Sequence, residues 1–414
     1  MADFRQKCAD GSRSSKWSEA LSSDDGYEPG DNGRMIVGID ASNIRSGGGV
    51  THLVELLRAA DPINHGFLQV VVWGGRQTLD RIEDRPWLLK RHLPVLDKGL
   101  AYRAHWQRFR LSGIARATEC NALFIPGGAY AGNFRPAITM SQNLLPFEWG
   151  EMARYGFSIL TLKWLLLRWA QSRSFRKADG MIFLSEYAKN MVTRVTGPLT
   201  GRVSLIPHGV DQRFVLAPRL PRSIGECSSN DPLRLLYVSN VDAHKHQWNV
   251  AEAVAELRAA GSPIAIDFVG SQYPPAFAKL KRVLDRVDPA HAFIRHVGAV
   301  AHEDLHRQYH SADICIFASS CENMPNILLE GMAAGLPIAC SSRGPMPDIL
   351  GDAGIYFDPE QVSSISHAIG QLVASPSLRA AMARSAFYRA QIYSWRRCAD
   401  ETFGFLARVA TGVS

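Results

Sequence analysis

ADICIFASSCENMPNILLEGMAAGLPIACSS, Ala312–Ser342, is the stretch on which the reading of the fold turns. Ala312 to Ala318 is a short, nearly unbroken apolar run with β-branched and aromatic residues, as expected of a buried strand. Pro325 suits a first helical turn, where a missing N–H costs nothing. Asn326 to Ala334 has helical character, and Gly335 before Leu336-Pro337 is a stop signal. Pro337 to Ser342 then reads as a second strand. The unit is strand, polar loop, helix, strand. In a parallel sheet such a loop lies at the carboxyl ends of the strands, where open α/β sheets bind ligands.

That placement gives meaning to two carboxylates eight positions apart, Glu322 on the loop and Glu330 in the helix. Free amides at Asn326, Ile327 and Leu328 are expected to face the crevice and favour an anion. A ligand with a phosphate at the helix mouth and hydroxyls to either side, such as a sugar nucleotide, suits the arrangement. Taken in isolation, such a pair reads more readily as a helix cap and a solvated surface acid, so the rest of the chain has to decide.

A chain of 414 residues with 46% hydrophobic and 21% charged residues predicts an ordinary globular protein of two α/β domains. The net charge of +7 fits phosphorylated ligands or an anionic membrane surface, and equally plain solubility. Seven cysteines without a Cys-x-x-Cys pair point to a reducing, cytoplasmic setting. No apolar run is long enough to span a bilayer. Residues 1–33 are polar, rich in Ser, Gly and Asp, lack the apolar core of a signal peptide, and read as a disordered tail.

Alternating strands and helices start at Met35. Strands are expected at Met35–Asp40, Phe67–Trp73, Ala122–Pro126, Ala137–Ser141, Gly180–Ser185 and Val203–Pro207, with a helix from Val50 and long helical sections near 101–118 and up to 177. Residues 34–206 therefore form one doubly wound unit. An irregular, proline-rich stretch over 207–232 reads as a linker. The alternation restarts at Leu233 and continues through 395, with strands at Leu233–Ser239, Ile264–Val269 and Phe293–Val297. A final segment over 396–414 is expected to be a helix crossing back to the first unit. The fold class is α/β, with two doubly wound, Rossmann-like domains facing across a cleft.

Five motifs in order sharpen this. GIDASNIRSGGGVTHL, ADGMIFLSEYAKN, LIPHGVDQRF, LLYVSNVDAHKHQ and the Glu322-x7-Glu330 run, closed by YSW at 393–395, resemble the retaining glycosyltransferases of family 4, which have the GT-B fold. The resemblance covers about 35–405. It implies a nucleotide-diphosphate sugar as donor, bound mainly by the C-terminal half, with the acceptor on the N-terminal half. Glu330 is implied to hold the ribose hydroxyls and Glu322 the donor sugar. Pro325 and the amides of Asn326 and Ile327 are implied to hold the diphosphate, Lys245 to stabilise it as it leaves, and Gly48 and Gly49 to let backbone approach it closely. Lys245 and Glu322 are the catalytic candidates. The chain departs from the family pattern at Asn240, where Arg is usual, at Gln142-Asn143, where His-Asp is common, and at His208, where Asn is usual. Arg343 is a candidate stand-in for the missing cation, and His105 could face the cleft.

No Asp-x-Asp pair is present to hold a metal on a diphosphate, so neither metal nor organic cofactor is expected. Gly47-Gly48-Gly49 lacks the third glycine of a dinucleotide fingerprint, and no Lys-Ser/Thr follows it. A nicotinamide enzyme is thereby disfavoured, and no nucleic-acid partner is expected. The resemblance to polysaccharide and O-antigen enzymes implies a glycan or lipid-linked acceptor of cell-surface polysaccharide or lipopolysaccharide synthesis, and the Glu-Asn-x-Pro-Asn version of the motif resembles that of mannosyltransferases. The segment 158–178, basic and rich in Leu and Trp, can contact an anionic membrane face, although its basic residues do not read as one stripe and a buried helix is the alternative. The rival functions are a non-catalytic nucleotide-sugar binder or scaffold, and a sugar-nucleotide epimerase. Cys315, Cys321 and Cys340 read as core fillers.

Overall fold

The computed structural model describes residues 35–413. The tail expected over 1–33 lies outside them. Among the described residues, thirteen strands form two sheets in which every pairing is parallel. The first contains β1 Met35–Asp40, β2 Phe67–Gly74, β3 Leu88–His92, β4 Ala122–Ile125, β5 Ala137–Met140, β6 Gly180–Phe183 and β7 Arg202–Leu205, in the order β3-β2-β1-β4-β5-β6-β7. The second contains β8 Leu233–Val238, β9 Ile264–Val269, β10 Ile294–Gly298, β11 Ile314–Phe317, β12 Ile338–Ser341 and β13 Ile355–Phe357, in the order β10-β9-β8-β11-β12-β13. Strand order reverses beside β1 in one sheet and beside β8 in the other. These are the switch points where a crevice opens at the carboxyl ends.

Five helices frame the crevice and its surroundings: α1 Gly48–Ala59, α2 Ile159–Lys177, α3 Gln247–Ala259, α4 Asn326–Ala333 and α5 Trp395–Thr411. Two strands are not apparent from the sequence. β3 reads LLKRH and is only partly buried, and β13 has three residues, so neither shows the apolar run of a central strand. The helix expected over 101–118 is broken by a π-helical turn at Gln107–Leu111. The helical section expected after 141 is two helices, Trp149–Ala153 and α2. α1 starts at Gly48, two residues before the expected Val50, so Gly48 and Gly49 belong to its first turn.

The β11–α4–β12 unit forms as its sequence implies. Ile314, Cys315, Ile316 and Phe317 are all fully buried, and α4 lays Leu328, Leu329 and Met332 on the sheet. Each such side chain contributes about 1.5–3 kcal/mol on leaving water. Gly335 ends the helix with φ of 64°, while Gly335 N–H donates to the Met332 carbonyl and Leu336 N–H to that of Gly331. This is a left-handed cap that satisfies the last carbonyls. Cys315 and Cys340 are fully buried and Cys321 nearly so.

Two crossings join the halves. The chain leaves the first sheet through Ile206–Phe214 and returns at Tyr393–Trp395, where Val210 donates to the Tyr393 carbonyl at 3.1 Å. A Cβ on Gly209 would lie 2.1 Å from the Trp395 nitrogen, so only glycine lets these strands pass. α5 then lies on the first half, with Phe403 against Phe67 at 6.2 Å between ring centres.

Candidate functional site

Loops at the carboxyl ends of both sheets meet. The loop after β11 is clasped by the first half: Asn323 Nδ2 donates to the Ser141 carbonyl at 2.8 Å, and Ser185 Oγ to the Asn323 carbonyl at 3.0 Å. Ser320 Oγ donates to Glu151 at 2.8 Å, and Arg154 bridges Glu151 to Glu360. The clasp holds the residues ahead of α4 in one arrangement.

At the mouth of α4, Pro325 is the N-cap and no side chain caps the helix. Leu328 and Leu329 both donate to the Pro325 carbonyl, at 3.0 and 3.3 Å. The Leu328 amide is therefore not free, contrary to expectation. Asn326 and Ile327 remain ahead of the helical ladder, where amides carry the positive end of the dipole. Asn326 is held from outside, since His208 Nδ1–H donates to its Oδ1 at 2.6 Å. That bond fixes the tautomer, and His208 Nε2 is left buried without a partner. Burial pushes His208 down to about 4, against the opposing Asn326 bond, so it is neutral near pH 7. The rings of His52 of α1 and of Trp395 lie against it, tilted, with centres at 4.6 and 5.7 Å.

Glu330 is buried, not a surface acid. Tyr309, fully buried on the Leu305–Ser311 helix, donates to Glu330 Oε2 at 3.0 Å and approaches the Ile327 carbonyl at 3.2 Å. His302 Nε2 stands 3.8 Å from the other oxygen. Glu322 is not a cap either: it pairs with Lys245 Nζ, with side chains only 16% and 10% exposed. Lys245 comes from the loop after β8 and lies over the Phe317 ring at 5.7 Å. The Tyr237 hydroxyl donates to its carbonyl at 2.7 Å, which seats that loop.

The departures from the family pattern fall as follows. Asn240, exposed at the end of β8, accepts from Ser271 Oγ at 2.7 Å through Oδ1, and its carbonyl accepts from Gln247 at 2.8 Å. Arg343 lies on a loop that abuts Glu322, since a Cβ on neighbouring Gly344 would sit 3.9 Å from the Glu322 nitrogen. Its guanidinium is taken by Asp358 at 3.0 Å. A Cβ on Gly49 would lie 2.9 Å from Gln142 Oε1, the end of a side chain that can turn aside, and nothing lies near Gly48. His105 is not gathered here: it is exposed and lies against Phe109, with ring centres 4.8 Å apart and planes tilted by 46°, while Arg103 of the same helix turns inward to Ser42 and Asn43.

Between the halves lies a cavity of about 270 Å³ lined by Gln142, Asn143, Tyr155, Trp164, Tyr273 and Glu322, among others. Trp164 Nε1 is buried without a partner. The Tyr155 hydroxyl donates to Asp242 at 2.8 Å, so its oxygen is left to accept from His244 Nδ1–H at 3.2 Å. Burial, helped by the Lys245 charge, lowers His244 far below its usual range and keeps it neutral. Nearby, burial pushes Glu148 up to about 7 against the Tyr187 hydroxyl that donates to it at 3.1 Å. A hollow of about 310 Å³ elsewhere is lined by Asp313 and Pro337, at the amino ends of β11 and β12, the wrong edge for a doubly wound site.

Tyr155, Glu148, Glu151 and Tyr309 were absent from the sequence-based site. Asp242 and His244 were within reach, three and one positions before Lys245. The others lie on the opposite half or a separate helix, and no local pattern marks them.

Comparison with known proteins agrees with this layout. The chain superposes on sucrose-phosphate synthase from Thermosynechococcus elongatus with a TM-score of 0.72 at 18% identity, covering 92% of this chain and 100% of the other. The fold is GT-B. Within the GT-B frame, residues 232–375, which hold Lys245, Glu322 and Glu330, match the family model described as "Glycosyl transferases group 1". An O-antigen chain mannosyltransferase B of Escherichia coli is 34% identical over 110 residues, 27% of this chain and 29% of that protein. A glycogen synthase of Mycobacterium tuberculosis is 27% identical over 235 residues, 55% of this chain and 53% of that protein. The alignments thus span between 29% and 53% of those relatives' lengths.

Proposed function

We propose that this protein is a retaining, metal-independent glycosyltransferase that moves a sugar from a nucleotide-diphosphate donor to a glycan or lipid-linked acceptor. The observation that carries the reading is the contact between Lys245 and Glu322 beside the open mouth of α4. Without ligand each charge neutralises the other. An arriving diphosphate competes for Lys245 and the amides of Asn326 and Ile327, which frees the Glu322 oxygens to accept from sugar hydroxyls. Glu330, held by Tyr309, is positioned to accept from ribose hydroxyls. The donor therefore lies against the C-terminal half and the acceptor enters the cavity walled by Gln142, Asn143 and Trp164.

In the reaction the acceptor oxygen attacks the anomeric carbon on the face from which the diphosphate departs. The bond from that carbon to the phosphate oxygen breaks, and the departing oxygen takes the acceptor's proton. Lys245 and the helix mouth stabilise the growing negative charge, and the clasp around Asn323 excludes water. The O-antigen chain mannosyltransferase among its relatives supports mannose as the sugar and a role in lipopolysaccharide or other surface polysaccharide synthesis.

Titration calorimetry with UDP-, GDP- and dTDP-sugars, followed by NMR of the product's anomeric configuration, tests this. One nucleotide should bind clearly best and the product should retain configuration. Failure of all three to bind would remove the reading. Binding without transfer would favour a non-catalytic binder, a reading to which the engagement of Arg343 by Asp358 lends some weight because it leaves Lys245 as the main cation.

A further inference from the structure

α2 presents an uncovered face. Phe157, just before it, is 113% exposed and Ile159 90%; Leu162, Leu166 and Trp169 are more than half exposed. On a helix of 3.6 residues per turn, Ile159, Leu162, Leu166 and Trp169 fall on one stripe, and Lys163, Arg173, Arg176 and Lys177 share it. All four of these basic residues are exposed. Four of the five basic residues thus share a stripe that the sequence did not suggest, while Arg168 lies apart over the Trp149 ring at 4.8 Å, and the helix is buried only along its other side, at Gln171, Ser172, Ser174 and Phe175. From Arg154 to Lys177 the chain carries six basic residues and no acidic one. A groove of about 320 Å³ beside the stripe is lined by Leu165, Arg168, Trp169, Ser172, Arg173 and Arg176. Ser172 Oγ is buried there without a hydrogen-bond partner.

We propose that this face of α2 lies on an anionic lipid bilayer, with the apolar stripe among the acyl chains and lipid phosphate in the arginine groove. Charge decides the occupant. A second copy of the chain would bring the same unbalanced cations against themselves, whereas acidic headgroups neutralise them. Apolar and basic side chains intermingle on this one exposed face, so the same surface offers contacts to acyl chains and to acidic headgroups. None of the described helices is long and apolar enough to cross a membrane, so the contact is peripheral. The opposite side of α2 supplies Leu160 and Trp164 to the cavity that also holds Glu322. One helix thus faces lipid outside and the reaction cleft inside. Resting on the glycosyltransferase reading, this means that docking delivers a lipid-linked acceptor along α2 into the cavity.

The test is co-sedimentation of the full chain with phosphatidylcholine vesicles, with and without phosphatidylglycerol. Binding should need the anionic lipid and weaken with salt. Lys163→Ala, Arg173→Ala and Lys177→Ala together should reduce it on the order of a hundredfold, at about fivefold per charge. Phe157→Ser with Ile159→Ser, residues that support no core, should also abolish strong binding while leaving the melting temperature unchanged. The proposal is overturned by absence of binding to anionic vesicles, by binding indifferent to both variants, or by variants that instead dissolve a concentration-dependent dimer. Transfer to a water-soluble acceptor separates the two ideas: transfer without vesicle binding sinks only the docking surface, and vesicle binding without transfer sinks only the enzyme.

Discussion

Replacing Lys245 by Met isolates what the buried ion pair does. Lys245 and Glu322 have side chains 10% and 16% exposed, so deleting the cation leaves a carboxylate with little water to replace it. Breaking such a pair from one side costs about 3–5 kcal/mol when burial is complete, and the residual exposure here argues for the lower end, about 3 kcal/mol. For a cooperative unit of about 150–250 residues that is a fall in Tm on the order of 10 °C. Glu322→Gln removes the anion, and the double variant Lys245→Met/Glu322→Gln removes both charges. Its stability should return to within about 1 kcal/mol of the parent, giving a coupling of about 2–3 kcal/mol in the cycle. Turnover should not return. Without the lysine the departing diphosphate loses a preorganised positive group, worth about a hundred- to a thousandfold in kcat. The assays are thermal or urea unfolding of all four proteins and kcat with saturating donor. If the two single effects simply add, the charges do not interact as described. If rate recovers along with stability, Lys245 is structural and the mechanism is wrong.

Two further outcomes rest on the same geometry. Tyr309→Phe removes the donor to Glu330 Oε2 and should cost about 1–2 kcal/mol in unfolding while weakening donor binding in calorimetry; Glu330→Ala should weaken donor binding more strongly than it lowers kcat, and an unchanged affinity would exclude the ribose role. Glu148, whose carboxyl rises to about 7 in the fold from an ordinary value near 4.5, binds a proton that the unfolded chain has already lost between those pH values. Stability should therefore fall as pH rises from about 4.5 to 7 and then level; Glu148→Gln should flatten that slope and add about 1–2 kcal/mol above pH 7 after allowance for partial solvent screening, and an unaltered pH profile would contradict the assignment.

Much of the second sheet's share of the candidate site was legible in the chain itself. Period, turn residues and the stop at Gly335 are local signals, and they placed β11, α4 and β12, with Glu322 on the loop and Glu330 inside the helix, because each is decided within a few residues. The strands that went unread, β3 and β13, are short or half-covered, so no continuous apolar run marks them. Tertiary structure alone decided what the acids meet. Lys245 reaches Glu322 across 77 positions, Tyr309 reaches Glu330 from another helix, and Asn323 is seized by Ser141 from the other sheet. It also decided that Arg343 is engaged, that His105 faces away, and that α2 turns its apolar stripe outward. Such pairings depend on which loops the strand order brings to one edge, and on which helix faces remain uncovered once both sheets are packed. Both are settled by long-range burial, for which the order of residues carries no local mark.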